Sequence, residues 1–80
     1  MFEEIKNLLI EFANVDENKI KLDAKLKDDL GIDSLYAVEL ILELETHYEI
    51  NIEFEDIQNL FYVSDVVDLV QRKVDEKNGK

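Results

Sequence analysis

The sequence DDLGIDSLYAVELILELETHY, residues 28–48, joins a glycine-containing turn to the clearest amphipathic pattern in the chain. On a helical wheel of about 100° per residue, residues opposite one another differ sharply in polarity. One face is apolar and carries Ala37, Leu40, Ile41, Leu44 and Tyr48. The opposite side carries Glu39, Glu43 and His47, and an apolar flank beside those acids carries Leu35, Val38 and Leu42. We therefore predict a helix over residues 34–48 with one buried face, and with a flank that is either the edge of the core or a docking strip.

Three further helices are predicted around this one. Residues 2–14 place apolar side chains at helical spacing, at Phe2, Ile5, Leu8, Leu9 and Phe12. A short helix is expected at 55–60. A last helix is expected at 64–74, capped by Ser64, with its inward residues at Val66, Val67, Val70 and Val74. Residues 50–54 alternate, but a lone strand has nothing to pair with, so we expect an extended loop. The fold class is all-α: a small up-down bundle of three main helices plus one short helix.

A long charged connection, residues 15–33, separates the first two helices. A loop of this length is uncommon in so small a domain and is usually functional. Spaced apolar residues are expected to pin it across the bundle, namely Ile20, Leu22, Leu26, Leu30 and Ile32. We expect one domain over residues 1–76, followed by a tail, 77–80, that frays.

Composition excludes several classes of function. The chain of 80 residues has no cysteine, so it can form neither a disulfide nor a thiolate metal site. Its net charge of −11, from 20 acids against 9 Lys and Arg, disfavours nucleic acid and anionic membranes and favours partners with basic surfaces. The amino terminus shows no secretory signal, and no apolar stretch approaches the roughly 20 residues that cross a bilayer. We expect a cytoplasmic monomer without stable membrane insertion.

Catalysis and metal binding find little support in the residues. A serine nucleophile needs a base within hydrogen-bond reach, and the single histidine, His47, lies 13 positions after Ser34 on the same predicted helix. At about 1.5 Å per residue this separation is roughly 20 Å. The acids do not follow the spacing of a calcium-binding loop, so weak divalent binding is plausible but no dedicated metal site is expected. The clustered lysines at 19, 21, 25 and 27 are interpreted as solubilising charge.

Ser34 has two interpretations. Serine is a preferred helix N-cap, and this role alone would explain its position. Asp33 is an equally good cap, however, and would leave the Ser34 hydroxyl free to point outward from the first turn. A helix N-terminus favours an anion, so such a hydroxyl is a suitable place to attach a phosphodiester.

Residues 29–35, DLGIDSL, followed by VEL at 38–40, resemble the attachment motif of acyl carrier proteins. The resemblance covers nearly the whole chain, including the closing segment VSDVVDLV at 63–70. It implies that Ser34, between Asp33 and Leu35, receives 4′-phosphopantetheine from coenzyme A through a separate Mg²⁺-dependent phosphopantetheinyl transferase. The thiol of this arm would hold acyl groups as thioesters, and the bundle interior would shelter them. The protein would then be a carrier in fatty-acid or related polyketide-type synthesis, and not an enzyme.

The resemblance also implies a partner surface on the second helix. Carried over by position, it comprises Asp33, Leu35, Val38, Glu39, Leu42 and Glu45, and the helical wheel adds Glu43. The expected partners are the transferase and the acyl-transferring, condensing and reducing enzymes, each with a basic docking patch.

The sequence departs from the commonest fatty-acid pattern at several positions. Tyr36 replaces an acid after the Ser-Leu pair, residues 46–47 interrupt an acidic stretch, and 53–54 replace a Pro-Asp pair. Phe61 and Tyr62 add bulk after the short helix, which indicates a differently shaped cargo pocket or a dedicated partner. Three alternatives stay open: a carrier of an amino acid such as D-alanine, a peptidyl carrier, and a non-covalent acidic binding module in which Ser34 is only a cap.

Overall fold

The computed structural model describes residues 1–79, which form an all-α bundle. The α-helices follow in the order α1 (Phe2–Ala13), α2 (Ser34–Tyr48), α3 (Phe54–Ile57) and α4 (Val63–Gly79). The fold class predicted from the sequence, three main helices and one short helix, is confirmed. α2 packs against both α1 and α4. Within the described part of the chain no helix is long and apolar enough to cross a membrane.

Two helices end without glycine or proline, because the chain has no proline and only two glycines. Asn14 ends α1 by adopting a left-handed conformation with φ of 54°, and its N–H donates to the Ile10 carbonyl at 3.1 Å. Glu49 ends α2 in the same way, with φ of 55° and its N–H bonded to the Glu45 carbonyl. Left-handed backbone costs a residue such as Glu49 roughly 1–2 kcal/mol, whereas asparagine adopts it more readily.

The core lies where the apolar faces of the three main helices meet. Its helical members are Ile5 and Leu9 from α1, Leu40, Ile41 and Leu44 from α2, and Val63, Val66, Leu69 and Val70 from α4. The predicted apolar face of α2 is confirmed, since Ala37 and Tyr48 are half-buried at its margins. Burial of this face, more than helix propensity, stabilises helices of this length.

The long loop is pinned to the bundle mostly as expected. Of the five predicted anchors, Ile20, Leu26, Leu30 and Ile32 are buried. The prediction was wrong for Leu22, whose side chain is exposed; its carbonyl instead accepts the Ser64 N–H at 2.9 Å. The sequence also gave no sign of the 3-10 helix Glu17–Lys19 within this loop.

α4 differs from the prediction at both ends. It begins at Val63, and Ser64 does not cap it; the Asp65 carboxylate accepts the N–H groups of Phe61 and Tyr62, both at 2.9 Å. It continues to Gly79, beyond the predicted end at residue 74, and the fraying of residues 77–79 stays a prediction. The Lys77 ammonium donates to the Tyr48 carbonyl at 3.1 Å, and this contact with the end of α2 holds the last turn. Residue 80, the end of the predicted tail, lies outside the described residues.

Candidate functional site

Asp33 caps α2, which is the second of the two interpretations that the sequence left open. Its Oδ1 accepts the N–H of Leu35 at 3.1 Å and the N–H of Tyr36 at 3.2 Å. Ser34 is therefore not needed as a cap: it is the first residue of α2, it is exposed, and its hydroxyl makes no hydrogen bond to any described residue. Because Asp33 already occupies two N–H groups of the first turn, fewer backbone donors remain for an anion than we expected. The helix dipole still favours negative charge at this end.

The turn before Ser34 is fixed by glycine and by buried neighbours. Gly31 adopts φ of 71°, a left-handed conformation that glycine reaches without steric cost. Leu30 and Ile32 on either side of it are buried, and the Ile32 N–H donates to the Leu26 carbonyl at 2.8 Å. These contacts hold the backbone that leads directly into Asp33 and Ser34, so the position of the serine is well defined.

Ser34 is among the residues that line an open cavity of about 860 Å³. The cavity is lined by α2, through Ala37, Leu40 and Ile41 among others, and by the end of the long loop. It is also lined by α3, the segment 61–62 and Val66 of α4. The charged lining residues, Lys25, Lys27, Asp28 and Asp33, all belong to the long loop and its junction with α2. The lining from α3 onward carries no charge.

The apolar flank of α2 is exposed and is not the edge of the core. Leu35 is 70% exposed, Val38 54% and Leu42 58%. Glu39 and Glu43 are exposed beside them. This set of five residues is named the α2 strip below. The α2 strip places apolar surface within a few residues of Ser34. Single exposed apolar side chains are ordinary on a protein surface, but a contiguous row of them often marks an interaction site.

Glu45, the remaining predicted partner residue, has a different environment. It is half-buried, and its Oε2 accepts the Ile52 N–H at 2.8 Å. This contact ties the loop after α2 back to the helix, so half of the Glu45 carboxylate already has a structural role.

The sequence did not predict where the aromatic residues around the site would lie. Phe54, Phe61 and Tyr62 line the cavity and remain exposed. Tyr36, next to the α2 strip, packs its ring edge-on against Phe12 of α1, with the ring centroids 6.3 Å apart. The unusual aromatic content of residues 54–62 was the only signal in the sequence, and it did not show which side of the bundle these rings would occupy.

The structure keeps Ser34 and His47 apart, at opposite ends of α2, where the His47 ring packs edge-on against Tyr48 at 4.8 Å. Among residues 1–79 no group of three or more histidine, aspartate or glutamate side chains is placed to hold a metal ion. The site around Ser34 therefore consists of an exposed hydroxyl, an apolar strip with acids, and an open cavity.

Comparison with known proteins identifies this arrangement. Residues 3–71 match the family described as "Phosphopantetheine attachment site". The chain belongs to the acyl carrier protein family. The acyl carrier protein of Phytoplasma mali is 37% identical over 75 residues, covering 94% of this chain and 89% of the relative. That of Aster yellows witches'-broom phytoplasma is 43% identical over 67 residues, covering 84% of this chain and 88% of the relative.

A solved structure agrees with the assignment. The crystal structure of an acyl carrier protein from Thermotoga maritima superposes with a TM-score of 0.84 at 25% identity, covering 95% of this chain and 88% of that one. Members of this family carry acyl intermediates on a covalently attached 4′-phosphopantetheine group, and the resemblance recognised in residues 29–40 is confirmed. The match favours a carrier over a non-covalent acidic binding module.

Proposed function

We propose that Ser34 is the attachment residue for 4′-phosphopantetheine, and that the chain presents acyl thioesters on this arm without a catalytic step of its own. One observation supports this choice above the others: Asp33 relieves Ser34 of the capping role and leaves an exposed hydroxyl that lines a cavity and has no hydrogen-bond partner among residues 1–79. The chain has only one other serine, Ser64, which is half-buried in the first turn of α4.

The residues present fit the group. Ser34 Oγ would form the new bond to the phosphorus of the pantetheine phosphate of coenzyme A, the bond to 3′-phosphoadenosine-5′-phosphate would break, and a base on the transferase would take the hydroxyl proton. The α2 dipole favours the resulting phosphodiester charge at this helix end. When bound, the arm supplies a thiol that holds an acyl group as a thioester. The cavity beside Ser34 gives that acyl group an apolar surface to lie against.

The α2 strip supplies the docking surface in this proposal. Leu35, Val38 and Leu42 would be the apolar contacts, because they are exposed and lie on the flank next to Ser34. Glu39 and Glu43 would face basic patches on the transferase and on the enzymes that add, condense or reduce the acyl chain. Exposed ion pairs are worth only about 0–1 kcal/mol each, so these acids would mainly steer and orient the encounter. Weak docking suits a carrier that must leave each enzyme.

The finer assignments follow from the same proposal. The mostly apolar lining of the cavity supports fatty-acid or related polyketide-type synthesis over a carrier loaded with D-alanine. A cytoplasmic location and a monomeric state remain predictions, and both can be measured on the purified protein and its native host.

Intact mass spectrometry tests the attachment residue. The purified chain is incubated with coenzyme A, Mg²⁺ and a broad-specificity phosphopantetheinyl transferase, together with Ser34→Ala and, as a matched control, Ser64→Ala. We expect one added phosphopantetheine on the wild type and on Ser64→Ala, and none on Ser34→Ala. An arm that still appears on Ser34→Ala, or no arm on the wild type, would contradict the proposal.

A further inference from the structure

Four lysines of the long loop form no salt bridge, although the chain carries 20 acids. They are Lys19, Lys21, Lys25 and Lys27. All four are exposed, and none of their ammonium groups contacts a carboxylate of residues 1–79. The cations of α1 and α4 are all paired, namely Lys6, Arg72, Lys73 and Lys77. The lysines of the loop are therefore available to an anion that is added to the chain.

Two of these lysines share the cavity with Ser34. Lys25 and Lys27 line it, and they are the only cations in its lining within the part of the chain that the structure describes. Lys19 and Lys21 do not line the cavity. The four lysines of one loop thus divide into a pair beside the candidate attachment residue and a pair away from it.

The backbone of both lysines is held next to the turn that leads to Ser34. The Lys27 carbonyl accepts the Gly31 N–H at 3.0 Å, and the Lys25 carbonyl accepts the Asp29 N–H at 3.0 Å. The Lys25 N–H also donates to Asp29 Oδ2 at 2.7 Å. Only the two side chains therefore have to be ordered when they bind a group on Ser34, which lowers the entropic cost of that binding.

A phosphodiester on Ser34 would meet unfavourable charge without these two lysines. Asp28 and Asp33 line the same cavity and would repel it. The Asp33 carboxylate already accepts the N–H groups of Leu35 and Tyr36, so these two backbone donors are not available to a phosphate. The two ammonium groups are the side-chain charges in the cavity lining that can offset this repulsion.

We propose that Lys25 and Lys27 bind the phosphodiester of an arm on Ser34 and hold the base of that arm beside the long loop. The inference rests on the attachment proposed above. It replaces the interpretation of these two lysines as solubilising charge and keeps that interpretation for Lys19 and Lys21. Exposed ion pairs are weak, so the two lysines orient the phosphate without immobilising the thiol at the other end of the arm.

Acetylation of the lysines tests this contact. One sample carries the arm, with its thiol alkylated, and the other sample has no arm; intact mass checks both. Each is treated briefly at low salt with the N-hydroxysulfosuccinimide ester of acetic acid, and peptide mass spectrometry gives the rate at each lysine. A paired ammonium gives up its proton less readily and reacts more slowly. We expect the arm to slow Lys25 and Lys27 by about two- to fivefold and to leave Lys19 and Lys21 unchanged.

Salt and the paired lysines decide how a slower rate is interpreted. The difference at Lys25 and Lys27 should disappear in about 0.5 M NaCl, because salt screens exposed ion pairs. Slowing that persists at high salt would show that the arm only covers these side chains, and would overturn the proposal. Equal rates with and without the arm, or equal slowing of all four lysines, would overturn it as well.

Two double variants with the same charge change provide a second measurement on the loaded protein. Lys25→Gln with Lys27→Gln should shift the ³¹P resonance of the phosphodiester, whereas Lys19→Gln with Lys21→Gln should leave it at the wild-type position. Thermal unfolding without the arm checks that each variant keeps its fold. A resonance that is the same in both double variants would contradict the contact. A wild-type chain that takes up no arm would instead overturn the attachment at Ser34, and the lysine contact with it.

Discussion

The two ends of α2 are built differently. At its C-terminal end, the Tyr48 hydroxyl donates to Glu4 Oε1 at 2.7 Å, and Lys77 contacts both the Tyr48 carbonyl and the Glu49 carboxylate. These contacts join α1, α2 and α4. At the N-terminal end, Ser34 has no side-chain hydrogen bond among the described residues and stands beside an open cavity. The closed end holds the bundle together, and the open end leaves groups available to a prosthetic arm and to partners.

Residues that stabilise the fold and residues that are available for function therefore lie at opposite ends of α2. Burial and the hydrogen bond to Glu4, in that order, raise the pKa of the Tyr48 phenol, a sign that this end is packed around a polar contact. Exposed leucines at the open end contribute little to folding and are available for docking. Substitutions at the closed end should therefore affect unfolding, and substitutions at the open end should affect loading and delivery.

The largest expected effect is a difference in the free energy of unfolding between substitutions of two leucines of α2. Leu44 is fully buried, and Leu44→Ala should lower the free energy of unfolding by about 2–5 kcal/mol because it leaves a cavity in the core. Leu35→Ala, at the open end, should change it by less than about 0.5 kcal/mol. Urea unfolding followed by circular dichroism measures both. Similar losses for the two variants would show that the exposed strip belongs to the stabilising core after all.

A smaller effect is expected from the clamp between α3 and α4. Asp56→Asn should cost about 1–2 kcal/mol at pH 7, since it weakens contacts to Arg72 and Lys73. The hydrogen bond from the Glu53 N–H, and then Lys73 and Arg72, lower the pKa of Asp56 below its usual 3.8.

The lowered pKa fixes the direction of the pH dependence. Asp56 binds a proton more readily in the unfolded chain than in the folded one. Its contribution to the free energy of unfolding is therefore present above its ordinary pKa and is lost as the pH falls through the lower pKa of the folded state. The difference between wild type and Asp56→Asn in urea unfolding should therefore shrink between pH 7 and about pH 3. Glu55→Gln, at the exposed neighbouring position, should show no comparable difference at either pH. A gap that widens in acid would contradict the clamp.

The two ends of α2 also offer a matched pair of tyrosines. Tyr48→Phe removes the hydrogen bond to Glu4 and should lower stability by about 0.5–1.5 kcal/mol. Tyr36→Phe keeps the ring that packs on Phe12, and its hydroxyl makes no hydrogen bond to a described side chain, so a change below about 0.5 kcal/mol is expected. Thermal unfolding resolves this difference, because 1 kcal/mol shifts Tm by about 4–8 °C in a domain of this size. Equal shifts would remove the distinction between a closed and an open end.

The smallest expected effect concerns the net charge, which is a property of the whole chain and not of either end of α2. A net charge of −11 destabilises the compact state by self-repulsion, so millimolar Mg²⁺ should raise Tm by a few degrees. Since the described residues contain no cluster suited to hold a metal, NaCl at equal ionic strength should reproduce most of the rise. Stabilisation by Mg²⁺ that saturates at micromolar concentration would reveal a specific site instead.

Much of the open end could be predicted from the sequence. The buried face of α2 follows from spacing within a few turns of one helix, whereas the cap and the flank at Leu35, Val38 and Leu42 were each narrowed to two alternatives, between which the structure decided. The resemblance in residues 29–40 added the family. Attachment at Ser34 remains a prediction, because it concerns a chemical modification and not a conformation.

Other features could not be predicted, since residue type alone does not show which backbone group a side chain will contact in the folded chain. Ser64 is a good cap by type, yet Asp65 satisfies the N–H groups before α4. The tail 77–79 is polar and terminal, yet Lys77 reaches the end of α2. Glu45 has the composition of a docking residue, yet it holds the Ile52 N–H.

The sequence by itself determined the helices, their apolar faces and the presentation of one serine, because these depend on periodicity and capping between near neighbours. Only the tertiary structure decided where the cavity opens and which side chains line it. The hydrogen bonds that place Phe61 and Tyr62 there join residues 22–26 to residues 61–64, and no local pattern records a pairing across so many intervening residues.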